Sequence, residues 1–269
     1  MNKVKVLGMD GKEKEHIELP SVFNTPYKPK VIQRVYNNLN SHSFQIQGRY
    51  PGAGQMVSAE SRNTGLGIAR IARARGEGFP RAGQAAGVAG VRKGRVAHPP
   101  VAWKNIYKKI NKKEKILALC SAIAATSNRD LVKQRGHLLS DEISLPIVVS
   151  GEIESLLKSK DLEKFLEKIG LKEDLTRTHI KRNKKKNRKY SSNRRCGLSA
   201  LILVSDEEKI GRLNNSLPGI SVKTVKNVSV LDLAPGSRPI RLTVFSEKAI
   251  EELKNVKSVC NVLMEMVKK

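Results

Sequence analysis

The chain has 269 residues and a formal net charge of +26, of which residues 45–111 and 177–195 hold +20. The first stretch carries 12 Lys/Arg against two Glu and the second 10 Lys/Arg against no acid, while the remaining 183 residues are close to balance. Charge this concentrated repels itself until an anionic partner neutralises it, and the polyanion available at such density is nucleic acid.

The elements then follow in chain order. Lys3 to Gly8 and His16 to Leu19, split by Asp10-Gly11, read as an opening hairpin. Val31, Ile32, Val35, Tyr36 and Leu39 share one helical face after Pro26 and Pro29. Beyond the first basic stretch, Ile116, Leu119, Cys120 and Ile123 mark a second helix. The run Leu145-Pro-Ile-Val-Val149 has the length and β-branching of a buried parallel strand. A helix with Leu156, Leu157, Leu162, Phe165, Leu166 and Ile169 follows, then the second basic stretch, then the apolar strand Ala200 to Val204. A short helix over Glu207 to Asn215, strands near Ile220–Val225, Val228–Leu231 and Ile240–Phe245, and a last helix with Ile250, Leu253, Val256 and Leu263 close the chain. This alternation predicts a three-layer α/β/α body with a mostly parallel sheet, plus a long extended basic internal loop. The expected division is a globular α/β body over 1–44 and 101–269, an extended Gly/Arg-rich loop over 45–100, and a second basic loop over 177–195 within the body.

From Gly48 to Arg95 there are 11 glycines and nine Lys/Arg, with few large apolar residues. Such a segment cannot bury enough apolar surface to build a core, and it is longer than connections inside compact domains. Glycine allows close backbone approach, and arginine offers forked donors for phosphate and a flat face for unpaired bases. The combination describes an extended loop threaded through folded RNA. A solvated linker is the bland alternative, but it has no need of so many arginines. The expected RNA-binding residues are Arg49, Arg62, Arg70, Arg73, Arg75, Arg81, Arg92, Lys93, Arg95 and Lys104. In the second stretch they are Lys181, Arg182, Lys184, Lys185, Lys186, Arg188, Lys189, Arg194 and Arg195.

An α/β body invites an enzymatic alternative, an RNA-processing or RNA-modifying enzyme with a Rossmann-like domain and basic arms. The glycine pairs at Gly52/Gly54, Gly65/Gly67 and Gly76/Gly78 lack the third glycine and the strand-to-helix context of a dinucleotide fingerprint. His16, His42, His98, His137 and His179 are scattered and read as structural or surface residues. Cys120, Cys196 and Cys260 form no C-x-x-C pair and are odd in number, which argues against a disulfide framework or a zinc site and fits a reducing cytosol. The first 20 residues show no signal peptide, and Ile116–Thr126 is too short for a membrane span. We expect a cytoplasmic protein with no catalytic residues, metal, cofactor or membrane partner.

Ser58-Ala-Glu-Ser-Arg-Asn-Thr-Gly65, Ile68-Ala-Arg-Ile-Ala-Arg73, Arg81-Ala-Gly-Gln-Ala85 and Gly94-Arg-Val-Ala-His-Pro-Pro100 resemble the long internal loop of large-subunit ribosomal protein L-four, in its archaeal and eukaryotic branch. Ser121 to Thr126, Asp130 to His137, Asp232 to Gly236 and Arg241 to Phe245 are similar to that family's body. The short C-terminal end is closer to the archaeal form. The resemblance implies a structural constituent of the large ribosomal subunit, with large-subunit rRNA and neighbouring ribosomal proteins as partners. It also implies a loop that lines the peptide exit tunnel beside ribosomal protein L-twenty-two, near the nascent polypeptide, with its tip at Arg73, Arg75, Gly76, Glu77, Gly78 and Arg81. Lys93 and Val96 depart from the family's more usual glycine and basic residue, and residues 181–195 are lysine-rich where relatives are glycine-rich.

Overall fold

A computed structural model describes residues 3–140, 143–186, 197–206, 208–238 and 240–255. The chain divides into two compact units, residues 1–40 with 108–269, and residues 41–107. In chain order the elements are β1 (Lys3–Leu7), β2 (Glu13–Glu18), α1 (Pro29–Asn40), β3 (Ala59–Ser61), β4 (Ala72–Ala74), α2 (Lys112–Ala125), α3 (Arg129–Arg135), β5 (Ile147–Val149), α4 (Ser159–Lys168), α5 (Lys172–Lys186), β6 (Leu201–Val204), β7 (Ser221–Thr224), α6 (Val230–Leu233), β8 (Thr243–Ser246) and α7 (Glu247–Asn255). No helix among the described residues is long and apolar enough to cross a membrane.

The first unit is built on one six-stranded sheet in the order β2-β1-β5-β8-β6-β7. The β1–β2 hairpin is antiparallel and every other pairing is parallel. Strands β5, β6 and β8 are buried at every position, as a sheet covered on both faces requires. The two-residue strand period sorts their side chains between two cores. Val6, Val148, Leu201, Leu203 and Phe245 face a core completed by α1, α2, α6 and α7. Ile147, Val149, Ile202, Val204, Val222 and Val244 face one completed by α3, α4 and α5. The result is the expected three-layer arrangement. Small residues bring α2 close to its neighbours, and Ser121 in it accepts from the Lys28 N–H at 2.8 Å and donates to the Pro26 carbonyl at 3.0 Å, fastening the entry to α1.

Four local expectations change. Val228–Leu231 is not a strand: Ser229 and Asp232 form a reciprocal capping box that starts α6 at Val230, and this overrides the β-branched residues around it. The helix expected over Glu207–Asn215 reduces to one 3-10 turn at Ile210–Leu213, with Glu207 outside the described residues. The basic segment expected as a loop over 177–195 is helical through Lys186. Acidic Glu173 and Asp174 open α5, and the Lys and Arg that follow are good helix formers placed toward the negative end of its dipole. Cys120, buried in α2, is disulfide-bonded, against the expectation of reduced thiols. Helix α3 has no counterpart in the sequence reading, and Val256 and Leu263 lie outside the described residues.

A buried polar cluster holds the far ends of these elements together. Asp174, with no exposed surface, accepts from His137 Nδ1 at 3.2 Å, the Leu138 N–H at 3.1 Å, Arg177 Nε at 3.0 Å and the Ser199 hydroxyl at 2.6 Å. His137 reaches it because α3 ends on left-handed Gly136, which turns the chain inward. Its Nε2 accepts from the Leu242 N–H at 3.2 Å, so the hydrogen bonds assign a neutral ring protonated on Nδ1. Arg241 donates to the carbonyls of Ser199 at 2.6 Å, Ala200 at 3.1 Å and Gly219 at 2.6 Å. Burial pushes its guanidinium down to about 10, still charged at neutral pH.

Burial also pushes the His137 imidazole below its ordinary value, because a charged ring would lose water and would set two donors face to face at Leu242. The unfolded chain therefore binds a proton that the folded one refuses. Stability should be fully present above about pH 6.5 and fall below it by up to about 1.4 kcal/mol per pH unit. Urea unfolding between about pH 7 and 5 measures this, and a His137→Gln variant should show a flatter dependence from a lower starting stability. Deleting residues 53–92, all inside the second unit, should leave cooperative unfolding of the first intact; loss of folding would show that the units are not independent.

Candidate nucleic-acid interface

The second unit has little apolar matter, and its order comes from backbone pairing. Strands β3 and β4 pair antiparallel with Ala59 opposite Ala74, Glu60 opposite Arg73 and Ser61 opposite Ala72. The ladder continues through the Arg75 N–H to the Ser58 carbonyl at 2.9 Å. A third segment joins through the Arg73–Ala85 bridge and the Ala86 N–H to the Ala72 carbonyl at 3.0 Å. Ala74 and Ala86 are buried, so methyl groups take the place of a core. Farther from this ribbon, Gly54 and Gly94 pass so closely that a Cβ on Gly54 would lie 2.5 Å from the Gly94 carbonyl group. His42 and Tyr107, at the two ends of the unit, stack with ring centroids 5.4 Å apart.

Nearly all of the expected basic residues in this unit are accessible. Arg49, Arg62, Arg70, Arg75, Arg92, Lys93 and Lys104 are exposed, and Arg73, Arg81 and Arg95 are partly buried. Lys93 has a φ of +58°, the left-handed region that favours glycine, at one of the two positions where the sequence departs from the L-four pattern. The tip residues Arg75, Gly76, Glu77 and Gly78 form the turn after β4, with Gly76 at φ +94° and Gly78 at +79°, and Arg81 lies in the next turn. The ribbon brings Arg62, Arg73 and Arg75 together on one face with Glu60, whose carboxylate pairs with Arg75. Arg49, Arg92, Arg95 and Lys104 are not part of that cluster.

In the first unit, Lys181 is exposed on α5. Arg182, Lys184, Lys185 and Lys186 continue that helix, whereas Arg188, Lys189, Arg194 and Arg195 lie outside the described residues. Arg177, the first cation of the stretch, is held inside the fold by Asp174 and by the Leu198 carbonyl at 2.7 Å.

Sequence reading passed over the exposed aromatic residues. Trp103, the one tryptophan of the chain, is 80% exposed, and Phe44, Tyr50 and Tyr107 are also exposed in this unit. Flat apolar rings among guanidinium groups are the components of a base-stacking surface, and an aromatic count within the basic stretch would have found them.

The enzymatic alternative has a specific place to be tested, the crevice at the carboxyl ends of the parallel strands, where doubly wound folds take ligands. Here Glu154 spans it. Its Oε1 accepts from the Ser205 N–H at 3.0 Å after β6 and from the Ser246 hydroxyl at 2.6 Å at the end of β8. The carboxylate ties these strand ends to each other where a substrate phosphate would need donors. Among the described residues no group of three His, Cys, Asp or Glu side chains could hold a metal ion.

Comparison with known proteins finds similarity along most of the chain. The profile of the ribosomal protein L4/L1 family matches residues 17–256. Large ribosomal subunit protein uL4 of Pyrobaculum aerophilum is 40% identical over 262 residues, 94% of this chain and 90% of that protein. The uL4 proteins of Saccharolobus islandicus and Haloquadratum walsbyi are 37% and 39% identical, over 92% and 91% of this chain and 92% and 96% of their own lengths. Similarity at this level, running through the six-stranded body and the arginine-rich unit alike, means that the chain belongs to the ribosomal protein L4/L1 family.

Proposed function

We propose that this chain is a structural constituent of the large ribosomal subunit, that it binds 23S-type rRNA and supports subunit assembly, and that its residues 45–100 reach the peptide exit tunnel. In this reading the α/β body carries the second basic stretch on α5 and beyond, against rRNA and neighbouring ribosomal proteins. The loop stem is neutralised by rRNA phosphates. The turn around Arg73 to Arg81 faces the tunnel and the nascent polypeptide, beside ribosomal protein L-twenty-two. No catalytic step is assigned to any residue.

The observation that carries this reading is the accessibility of the cations in the arginine-rich unit, where seven of ten expected RNA-binding residues are exposed. An isolated domain gains nothing by displaying so much like charge, whereas a polyanion partner converts each exposed cation into a phosphate contact and releases condensed counterions. Family membership supports large-subunit rRNA as that polyanion.

Binding of the purified chain to large-subunit rRNA should therefore weaken by about 10³- to 10⁵-fold between about 50 and 200 mM salt, the slope for roughly 6 to 10 phosphate contacts. The fluorescence of Trp103, so exposed in the free chain, should be quenched in the same titration. A flat salt response would contradict the phosphate contacts, and unchanged fluorescence would exclude Trp103 from them.

The tip is tested separately. Gly76 has left-handed backbone, and a Cβ there would lie 3.2 Å from the Phe79 ring, so Gly76→Val must rearrange the turn. Subunits should still assemble, because most contacts lie elsewhere, while ribosome profiling should show altered pausing of nascent chains. Unchanged pausing, with the variant confirmed in subunits, would remove the tip from the tunnel wall.

A further inference from the structure

Residues 45–111 contain two acids, Glu60 and Glu77, in a segment otherwise dominated by cations, and both line the same cavity. The cavity, about 410 Å³, lies on the polar face of the β3–β4 ribbon and is shared with Arg62, Arg73 and Arg75. Strand geometry dictates the grouping: Glu60 is directly opposite Arg73, and Arg62 and Arg75 are each two residues along on the same face. Arg73 is anchored through one terminal nitrogen to the Gly83 carbonyl at 3.0 Å, and its Nε is buried with no hydrogen-bond partner.

A pocket for a phosphate consists of donors only, because a carboxylate repels the anion and cannot hydrogen-bond to it. This pocket sets two acceptor carboxylates against three guanidinium groups. The complementary ligand is neutral, flat, and carries donors on one edge and acceptors on another. We propose that the cavity takes a single unstacked guanine of the bound RNA, its N1–H and N2–H₂ donating to the carboxylates and its O6 and N7 accepting from the Arg73 side of the pocket. The inference rests on the reading that this unit binds rRNA, and it assigns base-specific recognition to residues that would otherwise count as backbone contacts. Guanine is the base with two adjacent donors beside two acceptors, so neither a pyrimidine nor adenine satisfies both halves. The volume falls within the range of small-molecule pockets and accommodates one base. The Glu60–Arg75 ion pair does not block entry: its side chains are 63% and 61% exposed, so solvent screens it and a base can take its place.

The test uses the full-length chain, Glu60→Gln and Glu77→Gln variants, and a protein-free large-subunit rRNA transcript, with filter binding and kethoxal footprinting, which modifies guanine at N1 and N2. The wild-type chain should protect at least one unpaired guanine. Glu60→Gln should weaken binding by about 5- to 100-fold, the value of one specific base contact, and should restore modification at that guanine. Glu77→Gln, in the turn outside the β3–β4 ladder, should expose the same guanine without disturbing the ribbon. Tighter binding of both variants would overturn the proposal in favour of a phosphate, since removing a carboxylate relieves repulsion. An unchanged guanine footprint would overturn it as well. If the wild-type chain itself fails to bind the transcript, the rRNA-binding reading falls and takes this inference with it, an outcome distinguished by the wild-type arm alone.

Discussion

Asp174 is the interaction on which the body's arrangement depends. One buried carboxylate receives hydrogen bonds from the end of α3, the second turn of α5 and the entry to β6, and through His137 it reaches the backbone just ahead of β8. Burial alone would raise its pKa, but the hydrogen bonds from His137 and Ser199, with the Arg177 guanidinium, hold it below the ordinary carboxylate range. A carboxylate this buried is tolerable only when fully partnered, so the cluster specifies one relative placement of its elements. Helix α5 starts beside Asp174 and continues through Lys181 to Lys186, so a carboxylate with no exposed surface anchors the helix on which the second basic stretch begins.

The second unit solves the opposite problem, order without a core. Its pairing relies on residues small enough to let backbones meet, alanines along the ribbon and glycines where Gly54 passes Gly94. The long side chains on the ribbon's polar face, Glu60, Arg62, Arg73 and Arg75, are all charged, and Arg73 is held back by the Gly83 carbonyl at 3.0 Å. The unit's chemistry is therefore almost entirely on its surface, in contrast to the body, where Arg177 and Arg241 are both used internally. Counting cations along the sequence cannot make that distinction, because it depends on which acids and carbonyls the fold brings near.

Much of the body was legible because its signals are local. Runs such as Leu201-Ile-Leu-Val204 are apolar at every position, a pattern that only a two-sided sheet buries, and Pro29 opens α1 as its fixed φ allows. At Val228–Leu231 the β-branched residues point to a strand, but the capping box of Ser229 and Asp232 outweighs them and starts a helix. Of the loop expected over 177–195, the part through Lys186 is helical, because a lysine-rich run has high helix propensity as well as charge. The Asp174 cluster was not legible at all: its members are spread from residue 137 to residue 242, and no local pattern joins them. The ribbon of β3 and β4 escaped for a related reason. Alanine and serine are weak strand formers, and their pairing depends on a partner across a turn, not on a periodic apolar face. The candidate interface was legible as composition, and its family as a set of short matching segments. The pairing of Glu60 with the arginines on one face required the register.

The central claim, that the exposed cations hold this chain in a large ribosomal subunit, is tested most directly by where the chain sediments. Lysate from cells carrying a tagged copy is layered on a sucrose cushion at high salt, which strips loosely associated proteins, and the large-subunit fraction is probed for the tag. The account predicts that the chain stays with large subunits in amounts stoichiometric with their other proteins. Recovery of the chain at the top of the gradient, free of rRNA while other large-subunit proteins remain bound, would contradict it.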